Sequence, residues 1–133
     1  MNTNEPNKTR LLVVEDEEVV RVALKKYFAL RGFAVDSAGE LEEAEAMIAT
    51  SSPYAVVIAD LRLAGRSGAE GLELLRFVRE HSRSTAVAML SAYGSAEIVE
   101  RARELGCETF LQKPKRLAEI ADVIQALLER VDV

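Results

Sequence analysis

The sequence predicts an α/β domain in which a doubly wound, five-stranded parallel sheet carries helices on both faces. Three observations predict it. Short apolar runs alternate with segments of helical periodicity along the chain, the pattern of parallel strands joined by crossover helices. The run Tyr54-Ala-Val-Val-Ile-Ala-Asp60 is polar on neither face until its final carboxylate, which suits a strand buried on both sides. Several such runs stop on charged or hydroxyl residues, at the sheet edge where open α/β folds bind their ligands.

Residues 1–9 are polar and aperiodic, with repeated Asn and Pro6, and read as a flexible N-terminal tail before a domain over residues 10–131. Arg10-Leu-Leu-Val-Val14 is the first strand and stops on Glu15 and Asp16. From Glu17 the period changes: Val20, Leu24 and Tyr27/Phe28 fall at helical spacing, and Gly32 is placed to cap that helix. Phe33-Ala-Val-Asp-Ser37 is a weaker strand broken by Gly39, and Leu41, Ala44 and Ile48 mark a short helix ending near Pro53. The central strand to Asp60 follows, then a glycine-punctuated loop from Leu61 to about Gly71, then a helix carrying Leu74, Leu75 and Val78. Ala86-Val-Ala-Met-Leu90 is a strand ending on Ser91. Gly94-Ser95 opens a helix with Ile98, Ala102 and Leu105, which Gly106 closes. Glu108-Thr-Phe-Leu111 is the last strand and runs into Gln112, Lys113 and Pro114. The last helix places Leu117, Ile120, Ile124, Leu127 and Leu128 on one face.

The 133 residues make one ordinary domain, 49% hydrophobic and 29% charged, with a net charge of -5. The acidic balance argues against direct nucleic-acid binding. The lone Cys107 reads as a small hydrophobe, and with no internal disulfide, leader or long apolar span the chain reads as cytoplasmic with no membrane association. His81, the only histidine, lies at a helix end and reads as solvated.

Right-handed crossovers point every parallel strand the same way, so Glu15, Asp16, Asp60, Ser91 and Lys113 are expected at one edge. Three carboxylates together repel one another, and a hard cation such as Mg²⁺ relieves the repulsion. A lysine point charge and a hydroxyl donor suit a phosphoryl group, so Asp60 is read as a nucleophile that accepts one. Taken singly, Asp16 reads equally as a helix cap and Asp60 as a turn residue, while Ser91 reads more readily as a loop hydroxyl and Lys113 as a surface charge. Their shared place at strand ends favours the joint reading.

Leu11-Leu-Val-Val-Glu-Asp-Glu-Glu18, Ala55-Val-Val-Ile-Ala-Asp-Leu-Arg-Leu63, Ala88-Met-Leu-Ser-Ala92 and Phe110-Leu-Gln-Lys-Pro114 resemble, in motif and order, the receiver domain of two-component response regulators. The resemblance covers nearly the whole chain and is to single-domain, chemotaxis-regulator-like receivers. It implies a flavodoxin-like (βα)5 fold with strand order 2-1-3-4-5. Asp60 would be the phosphoacceptor, and Glu15, Asp16, Asp60 and the backbone carbonyl of Arg62 would hold Mg²⁺. Ser91 would be the switch hydroxyl, Lys113 the phosphoryl-binding lysine and Phe110 the switch aromatic, with Pro114 after a cis peptide. Arg62 and Tyr93 stand where the family tunes phosphoryl lifetime. One departure is Ala64 where the family usually has proline, in a loop longer than usual.

The implied function is a phosphorylation-dependent switch. A sensor histidine kinase or phosphotransfer protein would donate the phosphoryl group. The surface of the fourth helix, fifth strand and fifth helix would then favour a downstream protein or a second copy. Phosphoryl transfer and autodephosphorylation would be self-catalysed, without turnover enzymology. One alternative is a degenerate receiver that binds partners without phosphorylation. Another is a receiver excised from a larger regulator or hybrid kinase. A third, an aspartate-nucleophile phosphatase of the haloacid-dehalogenase type, needs an acid two residues past the nucleophile, where this chain has Arg62.

Overall fold

A computed structural model describes residues 8–60, 69–91, 96–113 and 115–131. Strands β1 (Arg10–Val14), β2 (Ala34–Ala38), β3 (Val56–Asp60), β4 (Ala86–Ser91) and β5 (Thr109–Gln112) alternate with five helices. These are α1 (Glu18–Leu30), α2 (Leu41–Thr50), α3 (Ala69–His81), α4 (Ala96–Glu104) and α5 (Leu117–Val131). All strand pairs are parallel and the order is β2-β1-β3-β4-β5, as expected.

Alternation along each strand divides the core into two layers. Leu11, Val13, Val56 and Ile58 pack with Leu24 and Phe28 of α1 and with Ile120, Ile124 and Leu127 of α5. Leu12, Val14, Val57 and Met89 face the other way, against Ala44 of α2, Leu74, Leu75 and Val78 of α3, and Ala102 of α4. Each large side chain so buried contributes about 1.5–3 kcal/mol. Both faces of β3 are therefore covered, which is why its apolar residues show no period. Among the described residues no helix is long and apolar enough to cross a membrane.

Two glycines end helices as anticipated. Gly32 (φ 101°) and Gly106 (φ 99°) adopt the left-handed conformation that glycine reaches without a Cβ penalty. Phe33 N–H then donates to Phe28 O and Cys107 N–H to Ala102 O, each closing a Schellman motif. That use of Phe33 starts β2 at Ala34, one residue later than expected. Glu108 likewise stands before β5, because its carboxylate accepts from Val87 N–H at 2.8 Å and from Arg79 at 2.6 Å. The central strand begins at Val56 rather than Tyr54, whose hydroxyl donates to Asp36 Oδ2 at 2.7 Å. Gly71, expected to end a loop, is buried within the first turn of α3. Its propensity cost of about 1 kcal/mol is outweighed by burial of Leu74, Leu75 and Val78 on the same helix. Expectations for the tail over 1–7 and for loop residues 61–68, Ala64 included, lie outside the described residues.

Candidate functional site

The strand register assembles the site. Val14 pairs with Ala59, so Glu15, one residue on, comes beside Asp60, the last residue of β3. Asp60 pairs with Leu90, and Ser91 with Gln112. Lys113, just past β5, reaches back across β4 and donates to Asp60 Oδ2 at 2.9 Å and to Glu15 Oε1 at 3.1 Å. Glu15, Asp60 and Lys113 thus meet from three strand ends separated by up to 98 positions. Asp16 completes the group. Carboxylate oxygens of Glu15, Asp16 and Asp60 lie within 4.8 Å of one another.

Burial controls the electrostatics. Glu15 is only 3% exposed and Asp60 8%. Burial, with the Asp60 charge added to it, pushes the Glu15 carboxyl up to about 7 against the opposing pull of Lys113. Burial alone would lower the Lys113 pKa. The hydrogen bond and charge of Asp60, helped by Glu15, outweigh that effect and raise it, so the ammonium stays charged. One ammonium thus faces three carboxylates, a surplus of negative charge on hard oxygen donors. That donor set fits Mg²⁺, which takes carboxylate oxygens while keeping several waters. Asp16 is not the cap of α1: the N-cap is Glu17, and it makes no side-chain capping bond.

Ser91 ends β4 next to Asp60's strand, but its side chain lies outside the described residues, as do Arg62, Tyr93 and Pro114. Phe110 is half-buried on β5, packed against the α3–α4 layer. It lines a groove of about 430 Å³ with Val99, Ala102 and Cys107. Cys107 is half-buried rather than fully buried, and burial pushes its thiol up to about 11. His81 is exposed and stacks on Phe77 with ring centroids 4.1 Å apart, far along α3 from the site.

Two arginines hold backbone at opposite ends of the strands. Arg21 of α1 donates to the backbone oxygen of Glu15 at 3.0 Å. Arg79 of α3 bridges Thr85 O, Gly106 O and the Glu108 carboxylate at the opposite edge of the sheet. Nothing local in the sequence marks either, since both bind backbone carbonyls brought near only by the fold.

Comparison with known proteins matches this arrangement. The family model for the response regulator receiver domain matches residues 11–125. The chain is 31% identical over 127 residues to the transcriptional regulatory protein ResD of Bacillus subtilis, covering 96% of this chain and 51% of that one. A CheY-like response regulator receiver domain protein from Methanospirillum hungatei superposes with a TM-score of 0.88 at 21% identity, covering 95% of this chain and 98% of that one. A Burkholderia pseudomallei response regulator, solved with a phosphorylated aspartic acid, calcium ion and citrate, superposes with a TM-score of 0.77 at 25% identity. That match covers 90% of this chain and 72% of the other. The chain spans about a third to a half of the length of the first curated relatives it matches. With strand order, acidic cluster and family match in agreement, the chain belongs to the response regulator receiver domain family of two-component signalling.

Proposed function

We propose that Asp60 accepts a phosphoryl group from the phosphohistidine of a sensor histidine kinase or phosphotransfer protein. The single observation that carries this reading is the buried Asp60 carboxylate, held by Lys113 beside two further acids at the strand edge. A carboxylate oxygen of Asp60 attacks the donor's phosphorus. An O–P bond forms as the N–P bond breaks, and the imidazole leaves with that electron pair. Lys113 neutralises charge on the transferring group and on Asp60. Glu15, Asp16 and Asp60 would hold Mg²⁺, with the Arg62 carbonyl as a further ligand, and the ion would supply charge neutralisation at the phosphoryl oxygens. The phosphorylated aspartic acid and calcium ion of the Burkholderia pseudomallei regulator support both assignments.

The donor's approach also has a physical basis. An apolar groove of about 350 Å³ between α1 and α5 is lined by Val19, Val20, Leu24, Leu117 and Ile120 and runs to Lys113. Val19 is 81% exposed and Val22 53%, so α1 presents an apolar stripe ending at the site. A helix bearing the donor imidazole is the occupant this continuity favours.

Once phosphorylated, Ser91 and Phe110 would turn toward the phosphoryl group and reshape the α4–β5–α5 surface for a downstream protein or a second copy. Arg62 and Tyr93 would set how fast water removes the group, and Pro114 would aim Lys113. The same reading makes the chain a cytoplasmic switch rather than a turnover enzyme, its domain running over residues 10–131. Acetyl phosphate with Mg²⁺ should add one phosphoryl group to the wild type, seen by intact mass, and none to Asp60→Asn. A wild type that stays unlabelled even with its own kinase would instead be a phosphorylation-independent binding module.

A further inference from the structure

Arg21 touches none of the reacting groups, yet it holds the peptide on which Asp16 is hung. Its Nη1 donates to Glu15 O at 3.0 Å, while the N–H of Glu15 donates to Ala38 O at 3.0 Å. The Glu15 carbonyl and the Asp16 nitrogen share one planar peptide unit. Fixing that oxygen therefore fixes the direction in which Asp16 leaves β1. No hydrogen bond or ion pair to the Asp16 carboxylate exists among the described residues. Its placement accordingly depends on the backbone that carries it.

The nitrogen that donates to Glu15 O needs room, and Gly39 leaves it. A Cβ on Gly39 would stand 2.7 Å from Arg21 Nη1 and 3.3 Å from its Cζ. The glycine is itself anchored, its N–H donating to Glu43 Oε1 at 3.0 Å. The β2–α2 corner thus meets the loop that carries the acidic pair twice, through the Glu15 N–H bond to Ala38 O and through the space Gly39 leaves for Arg21.

We propose that Arg21 is a positioning residue for the divalent-cation site, aiming Asp16 through the Glu15 carbonyl, with Gly39 as the cradle of its guanidinium. This rests on the reading of Glu15, Asp16 and Asp60 as the Mg²⁺ site. Charge and geometry make opposite predictions. As a cation bonded to the peptide that joins two of the acids, Arg21 opposes Mg²⁺, so its removal should tighten binding if only charge counts. As an anchor of the loop, its removal should weaken binding, and partners that orient metal ligands are worth roughly 10–100-fold in affinity.

The test measures Mg²⁺ affinity by titration calorimetry, with urea unfolding in EDTA run in parallel. Gly39→Ala keeps every charge and asks only a flexible side-chain tip to move. It should weaken Mg²⁺ about tenfold with the unfolding midpoint unchanged. Arg21→Ala should weaken Mg²⁺ to a similar degree and also lower the unfolding midpoint, because the Glu15 carbonyl loses its charged donor; Arg21→Lys should recover part of the affinity, and Arg21→Ala with Gly39→Ala should bind no worse than Arg21→Ala alone. Wild-type affinity in Gly39→Ala, tighter binding in Arg21→Ala, or a weakening in Gly39→Ala that only tracks lost stability would each overturn the proposal. A wild type that binds no Mg²⁺ would overturn the metal-site reading and this proposal with it.

Discussion

Replacing Lys113 by Met should destabilise the apo protein in a strongly pH-dependent way. Lys113 is the ammonium on both Glu15 and Asp60, and its side chain is 22% exposed. Breaking a buried ion pair by removing one partner costs about 3–5 kcal/mol, and partial exposure moves this pair to the lower end, about 3 kcal/mol. Glu15 can escape the penalty by taking up a proton. Its folded pKa of about 7 already lies above the ordinary carboxylate value of 4.5. The stabilisation it contributes is therefore present in full below about pH 4.5 and lost as pH rises through about 7. Losing Lys113 removes the two largest influences that lower that pKa, so protonated Glu15 persists to still higher pH in the variant. At pH 5.5 Glu15 is neutral with or without Lys113, so the cost should fall to about 1 kcal/mol; at pH 8 the wild type loses an ionised Glu15–Lys113 pair as well, and the cost should stay near ~3 kcal/mol. At roughly 4 °C per kcal/mol for a domain of this size, the melting deficit in EDTA should be about 4 °C at the lower pH and about 12 °C at the higher. Added Mg²⁺ should recover most of the deficit at pH 8 by supplying the missing positive charge. A deficit independent of pH, or larger at pH 5.5, would refute the electrostatic account.

Three further outcomes are expected. Arg79→Ala should cost about 2–3 kcal/mol in urea unfolding, mainly because the carbonyl of Thr85, a residue 2% exposed, loses its charged donor; labelling by acetyl phosphate should survive, because Arg79 lies at the opposite sheet edge. Val19→Glu should leave acetyl phosphate labelling intact while slowing transfer from the cognate kinase at least about tenfold, as a charge placed in a desolvated contact would; equal rates from both donors would remove the groove from the docking surface. Cys107, with its thiol pushed up to about 11 by burial, should react with a thiol reagent at pH 8 roughly 100-fold slower in the folded than in the unfolded protein; equal rates would mean the thiol is neither buried nor perturbed.

The elements were legible because each leaves a local trace. A strand covered on both faces shows as an unbroken apolar run at Val56–Ala59, and a one-faced helix as the spacing of Leu24 and Phe28 or of Ile120, Ile124 and Leu127. Glycines at 32 and 106 marked helix ends because only they take a positive φ cheaply. The one-residue errors at β2 and β5 arose where a residue from a greasy run serves a neighbour instead. Phe33 gives its N–H to a helix cap, and Glu108 gives its carboxylate to Val87 and Arg79. Neither debt can be read from a run of side-chain types.

The site was legible for a different reason, which also marks the limit of such reading. Topology alone sends Glu15, Asp16, Asp60 and Lys113 to one edge, so knowing that the strands are parallel was enough to gather them. Arg21 belongs to no such class. It sits within α1, where an arginine is ordinarily a solvated side chain, and its partner is a carbonyl, which every residue possesses. The distances among Arg21, Gly39 and Glu15 tell it apart from Lys25 or Lys26 on the same helix. Groups that do the chemistry must be of particular types, and so they show in a sequence. Groups that aim them can work through any peptide oxygen, so they are found by geometry, and Gly39→Ala probes that geometry without touching the chemistry.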